Sequence, residues 1–386
     1  MRILSTAWRV FDERNGELEV LRNGGSIMIC DICESIGRLE ESYLFAGNIK
    51  LSQSSFGHIR IVNNGKYLPE FRTEENIHEW HKGLNKQFEE TLIELKPSIV
   101  LVQGGGEFSF NCIEICKRLK QKFALVVHLF QGNRGIIPDI ETKKWEDNVF
   151  LDDDLDVIAV STEMRKNILN TYPKIKPDKV IAIPNGTPFK KRDVVSRDIR
   201  KEFHLKGKKV LLCSGTLHPR KNQVQLVDAF DMLPERIKRN IVILFCGNDS
   251  TKMPQKETLE KKIKERGLGE SLRYIGTFDR DTMHSLYAAV DGLIMPSLNE
   301  GLSLVALEAL IYGKPVIMFL DNETAGDVND PCATVLVGDR SNAALGNGIL
   351  EWYERDWDEI AIRKYADNFN MENVAEKYVR YCSQYE

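Results

Sequence analysis

The sequence predicts an α/β protein built from two doubly wound domains, and three observations lead there. Short apolar runs such as Ser98–Val102, Phe123–Val127, Lys209–Cys213 and Asp291–Met295 end in glycine-rich or polar loops, and stretches with helical spacing follow them along most of the chain. That alternation calls for a parallel sheet covered on both faces. The length of 386 residues suits two domains, each with its own core. Finally, Lys190–Lys209 is highly charged and poor in apolar clusters, the composition of a linker with a surface helix, which sets a boundary near Thr187.

Charge and composition exclude several classes. The formal charge is −4, with 25 basic and 27 acidic residues in 1–190 and 28 and 30 in the rest, so neither half carries the cationic footprint of a nucleic-acid binder. The same balance weakens electrostatic docking to an anionic membrane without excluding it. No run of 18 apolar residues occurs, and the opening MRILSTAWRV lacks a signal-peptide layout, so a cytoplasmic chain is expected. Eight cysteines without framework spacing agree with a reducing compartment. The C-x-x-C at Cys30 and Cys33, and Cys112 with Cys116, lie in apolar helical runs and read as core packing.

In the first half, residues 2–8 read as a strand. Asn23-Gly24-Gly25-Ser26 reads as a loop before the apolar helix Ile27–Ile36, and paired glycines there suit close approach to a phosphate or sugar. From about Leu44 to Arg72 strands and turns are expected, with Asn63-Asn64-Gly65 as a hairpin signal. The strand Phe123–Val127 delivers His128 at its C-terminal end, the edge where open α/β sheets bind ligands. The following loop, Gln131–Asp139, is a candidate for acceptor contacts.

The second half opens with the strand Lys209–Cys213 and the loop Ser214–Asn222, where the adjacent cations Arg220 and Lys221 could clamp a diphosphate at roughly 1.5–3 kcal/mol per charge-assisted contact. A strand over Ile241–Cys246 ends at Gly247-Asn248, and Leu272–Tyr274 leads to Thr277-Phe278. The segment Pro296–Pro315 then reads as loop and helix between two strands, with Ser303 as N-cap, Leu304–Tyr312 helical, Gly313 the C-cap and Pro315 the stop. Its helix is apolar on nearly every side except at Glu308, and a buried carboxylate costs several kcal/mol unless something donates hydrogen bonds to it. A polar ligand is the expected donor. Glu300 stands in the loop before it, and the amides of Gly301, Leu302, Ser303, Leu304 and Val305 form a helix start suited to an anion.

These residues carry a resemblance. The pattern P-S-x-x-E-G-x-S-x-x-x-L-E-A, with the trailing G-K-P-V-I, resembles the donor-site signature of the retaining glycosyltransferases of family four. The likeness is strong over about 150–340, where IAVSTEMRKNI and VIAIPNGTPF, the latter holding Asn185, are similar to the family's interdomain region, and weak before 150. It implies the GT-B architecture of two doubly wound Rossmann-like domains facing a central cleft. Residues 1–187 would form the acceptor side and 188–364 would hold the nucleotide sugar, with a terminal helix of about 365–386 packing back on the first domain. By the same resemblance Glu308 holds the ribose, Glu300 positions the transferred sugar and the amides of Gly301–Val305 touch the diphosphate. Gly24 and Gly25 match the family's N-terminal glycine loop, and His128 the histidine that faces the donor sugar. Gly215 and Lys221 fit a G-R-x-x-x-K-G donor loop in which Thr216 replaces the usual Arg and Arg220 supplies the guanidinium. Gly247, Asn248, Thr277 and Phe278 lie in the loops that surround the base.

The resemblance further implies a retaining hexosyltransferase that uses a nucleotide-diphosphate sugar, UDP favoured over GDP, and a glycan or lipid-linked acceptor, in bacterial surface polysaccharide synthesis. With no prominent Asp-x-Asp, neither metal nor cofactor is expected, and no nucleic acid; peripheral contact with the inner face of a membrane stays open. Two alternatives stand beside this: an epimerase or phosphorylase of the same architecture, and a non-catalytic nucleotide-sugar-binding subunit, against which the presence of Glu300, Glu308 and Lys221 speaks.

Overall fold

The computed structural model describes the chain except residues 9, 15–16, 22, 48–53, 63–64, 70–71, 131–139, 153 and 194. The expected acceptor loop Gln131–Asp139 and the Asn63-Asn64 turn signal lie outside the described residues. Met1–Pro188 with Asn370–Glu386 forms one compact unit and Phe189–Phe369 the other.

The first unit holds an eight-stranded sheet in the order Val180–Ala182, Val157–Ala159, Phe123–Val127, Ile99–Gln103, Arg2–Ala7, Glu41–Ala46, Ile59–Ile61 and Ser55–Phe56, parallel except for the last pair. All five residues of Ile99–Gln103 are buried, as a central strand covered on both faces requires. The helix Met371–Cys382, near the end of the chain, packs against Gly24–Gly37. Three local features differ from expectation. The polar stretch after Val10 pairs as an antiparallel ribbon, Phe11–Arg14 with Glu17–Val20, because Phe11 and Leu18 reach a core. A hairpin that no expectation had placed turns at Gly57-His58, where Glu34 accepts a 2.6 Å hydrogen bond from the His58 amide. Gly24 and Gly25 are the first residues of the helix, not a loop before it, since Asn23 accepts from the Ser26 amide at 2.9 Å and starts the helix there.

The second unit holds six parallel strands in the order Leu272–Tyr274, Ile241–Cys246, Lys209–Ser214, Gly292–Met295, Val316–Phe319 and Thr334–Val337. Numbered along the chain within the unit this is 3-2-1-4-5-6, and the order reverses between Lys209–Ser214 and Gly292–Met295. Alternate residues of one strand enter opposite cores: Val210 and Leu212 pack with Leu286 and Ala306, Leu211 and Cys213 with Leu226 and Ile349. Each of the leucine, isoleucine and valine side chains among them contributes about 1.5–3 kcal/mol when fully buried, so the apolar runs that predicted strands also hold the helical layers. Among the described residues, no helix is long and apolar enough to cross a membrane.

Candidate functional site

The reversal of strand order in the second unit leaves a crevice outside the carboxyl ends of Lys209–Ser214 and Gly292–Met295, where doubly wound sheets bind ligands. Three loops meet there. Gly215 and Gly247 have φ of 143° and 145°, and a Cβ at Gly247 would lie 2.1 Å from the Gly215 carbonyl oxygen, so the approach needs glycine. Backbone bonds continue past the strand ends, from Gly215 N–H to Cys246 O at 2.9 Å, Leu217 N–H to Asn248 O at 2.7 Å and Gly247 N–H to Gly276 O at 2.9 Å. The Thr277 hydroxyl donates to Asn248 Oδ1 at 2.9 Å, and the Arg197 guanidinium lies 4.9 Å from the Phe278 ring centre.

Pro219–Lys221 forms a single 3₁₀ turn, capped by His218, whose Nδ1 accepts from the Arg220 amide at 3.0 Å, and ended by Asn222 with φ of 57°. This turn presents both cations to the loop after Met295. Lys221 Nζ forms a hydrogen-bonded ion pair with Glu300, and Arg220 Nη1 lies 3.3 Å from Glu300 Oε2 while donating to Asn299 O at 2.6 Å. Thr216 is exposed. Glu300 is 7% exposed; burial alone would raise its pKa, but the Lys221 and Arg220 charges outweigh that and hold it at about 2. Burial pulls the Lys221 ammonium below its ordinary value, and the Glu300 charge opposes the shift.

The helix Leu304–Ile311 follows, with Ser303 at the N-cap position and Gly313 in the left-handed region just past its end, φ 74°. Ser303 makes no side-chain cap bond, and its amide donates to Thr324 Oγ1 at 3.1 Å, so this member of the expected amide nest is already engaged within the protein. Glu308 accepts a 2.8 Å hydrogen bond from the buried Tyr287 hydroxyl. The polar ligand expected as its donor is therefore not the first one: the protein supplies a donor itself.

The remaining candidates belong to the first unit. His128 Nε2 meets Gln103 Oε1 at 2.8 Å, and burial lowers its pKa to about 4, which keeps the imidazole neutral at pH 7. It lines a cavity of about 330 Å³ with Gly105, Ser109, Trp145, Glu146 and Phe150. Asn185 is buried, its amide bonded to Val160 O at 3.0 Å, and Gly24 has open space around its Cβ position.

The structure thus brings Glu300, Lys221 and Arg220 together, joins Gly215 to Gly247 and Asn248 to Thr277, and places Glu308 on the adjoining helix. Sequence reasoning missed Tyr287 and Thr324. Both carry hydroxyls inside otherwise apolar or loop-like stretches, and a Tyr one helix before a lone helical Glu was the available signal.

Comparison with known proteins agrees with this geometry. Residues 195–369 match the family described as Glycosyl transferases group 1. Among curated relatives, the D-inositol 3-phosphate glycosyltransferase of Corynebacterium efficiens is 27% identical over 225 residues, 52% of either chain. The O-antigen chain mannosyltransferase B of Escherichia coli is 29% identical over 184 residues, covering 45% of this chain and 46% of the relative. The chain spans about half the length of the curated relatives it matches. Among solved structures, a glycosyltransferase from Rickettsia africae superposes with a TM-score of 0.75 at 18% identity, covering 100% of this chain and 98% of that one. Anabaena Alr3699/HepE in complex with UDP gives 0.72 at 15% identity, with 100% of both covered. These likenesses show the fold, which is the GT-B fold of two Rossmann-like units. The strand order and the E-x(7)-E spacing agree with that match, so residues 195–369 form a domain that resembles the glycosyl transferases group 1 family.

Proposed function

We propose that the chain is a retaining glycosyltransferase that moves a hexosyl unit from a nucleotide-diphosphate sugar to a glycan or lipid-linked acceptor. The observation that carries this reading is the cluster of the buried Glu300 with the partly buried Lys221 and Arg220 at the point where strand order reverses, one turn before the helix start. Two cations beside a helix start suit a diphosphate, whose leaving charge they would stabilise in the transition state. Glu300 keeps Lys221 charged inside the protein until the donor arrives, and Glu308 accepts from ribose hydroxyls. The leaving diphosphate takes the acceptor proton in a front-face displacement, so orientation and charge stabilisation supply the catalysis. This reading involves no metal. UDP is favoured as the nucleotide by the family resemblance; an acceptor with surface-polysaccharide character, met in the cytoplasm at the inner face of a membrane, belongs to the same reading.

The test is thermal unfolding with a panel of UDP-, GDP- and ADP-sugars, followed by release of nucleoside diphosphate with and without glycan acceptors. A ligand at 100 times its dissociation constant stabilises the fold by about 2.7 kcal/mol. A selective shift lost in Glu308→Ala, with acceptor-dependent release, is the expected result. Turnover without any acceptor would favour the epimerase reading, and nucleotide binding without turnover the non-catalytic subunit.

A further inference from the structure

The loop that carries Glu300 is held in an unusual way. Four successive backbone carbonyls each accept a hydrogen bond from a side chain: Pro296 O from Asn222 Nδ2 at 3.2 Å, Ser297 O from Asn322 Nδ2 at 3.1 Å, Leu298 O from Arg340 Nη2 at 2.9 Å and Asn299 O from Arg220 Nη1 at 2.6 Å. The donors come from three separate loops at the carboxyl edge of the sheet. Asn222 and Arg220 belong to the proposed donor loop and Asn322 to the turn after Val316–Phe319. Arg340 lies beyond the last strand, Thr334–Val337, 42 residues after the carbonyl it holds.

Arg340 is itself aimed from behind. Its Nε pairs with Asp321 at 2.8 Å, its guanidinium lies 5.5 Å from the Phe319 ring centre, and its own carbonyl accepts from Gln225 Nε2 at 2.7 Å. A planar guanidinium with two engaged edges has one orientation, unlike a lysine ammonium. The strand Gly292–Met295 ends five residues before Glu300, and beyond it the loop keeps a backbone bond from Leu298 N–H to Arg220 O at 2.8 Å, while its carbonyls need other donors. Side-chain donors serve the carbonyls here, and Arg340 holds the one two residues before the carboxylate.

We propose that Arg340 is a positioning residue for the transfer reaction. By fixing Leu298 O it sets where the Glu300 carboxylate meets Lys221 and where the amides of the following helix start point. It does not touch the substrate. This inference rests on the proposed glycosyltransferase reading for its catalytic consequence, whereas its structural half stands alone.

The experiment compares Arg340→Met, which keeps the stem over Phe319, and Arg340→Lys, which restores one donor, by hydrogen exchange and kinetics. In Arg340→Met the amides of the peptide spanning Pro296–Leu302 should exchange about tenfold faster, with exchange in the six strands of the second unit unchanged. Turnover of the nucleotide sugar selected by the panel above should fall roughly 100-fold, the size expected for a displacement of about 1 Å, with KM altered less than threefold. Arg340→Lys should recover part of both. Unchanged exchange in the loop overturns the proposal. Faster exchange with unchanged turnover also overturns it, because the hold would then be structural only. If the wild-type chain turns over no donor in the panel, the transferase reading fails and the positioning role for transfer falls with it, while the exchange result still decides whether Arg340 holds the loop.

Discussion

The Tyr287 hydroxyl donates a 2.8 Å hydrogen bond to Glu308 Oε2 in the interior of the second unit. Tyr287 is fully buried, and burial together with the Glu308 charge raises its pKa well above the usual phenol value, so it remains a donor at every working pH. The protein thus supplies the carboxylate with a hydrogen-bond donor in an apolar helix before any ligand arrives. Tyr287→Phe removes the donor and nothing else, and should cost about 1–3 kcal/mol in urea unfolding. Glu308→Gln keeps an acceptor oxygen and should cost less. Equal stability of Tyr287→Phe and wild type would mean that the bond is absent in solution.

The Lys221 and Glu300 pair is nearly dry, with side-chain exposures of 16% and 9%. Removing one member leaves the other charge uncompensated, so Lys221→Met and Glu300→Gln should each destabilise by roughly 3–5 kcal/mol. The double variant should cost clearly less than the two added together, by at least about 1 kcal/mol. Turnover should fall by about 100-fold or more in Lys221→Met, as for loss of one donor to a developing negative charge. Additive stabilities would show that the pair is not formed.

Much of the fold was legible because it is local. A strand such as Ile241–Cys246 declares itself by a run of apolar residues, and Gly313 followed by Pro315 declares a helix end. The loop glycines and the cations before Asn222 were legible in the same way, as residue types at fixed distances from strand ends. What sequence could not provide was pairing across the chain. Nothing near Thr324 says that it faces the Ser303 amide, or near Arg340 that it reaches Leu298, since each contact joins loops brought together only when parallel strands order themselves. The ribbon after Val10 escaped for a different reason: Asp12 and Glu19 pair on one face, and Phe11 and Leu18 fix the other against a core.

The cap of the helix Leu304–Ile311 gives a contrast between two hydroxyls. Ser303 occupies the N-cap position yet makes no cap bond with its side chain, so Ser303→Ala should change stability by less than about 0.5 kcal/mol, as at sites without a special contact. Thr324→Val keeps shape and removes the acceptor for the buried Ser303 amide, at a cost of about 1–3 kcal/mol. Helix propensity and cap rules alone predict the reverse order, so chemical denaturation of the two variants decides between a cap made by sequence neighbours and one made across the fold.

Acid stability follows from groups that the folded chain keeps from taking protons. Burial lowers the His128 pKa to about 4, against roughly 6.5 in an unfolded chain. Between those values the unfolded state binds the proton and the folded state does not, so stability is full above about pH 6.5 and falls as pH drops toward 4. Glu300, held at about 2 by Lys221 and Arg220, adds a loss of the same direction in a lower window, from roughly pH 4.3 down to 2. Unfolding free energy measured against pH should therefore decline in two overlapping stages on the acid side. His128→Gln should flatten the upper stage by on the order of 3 kcal/mol and leave the lower one. His218 and His284, also held below the ordinary value by burial, retain the rest of the upper slope. An unchanged upper slope in His128→Gln would mean that His128 titrates near its ordinary value in the folded chain, and that water reaches the cavity it lines.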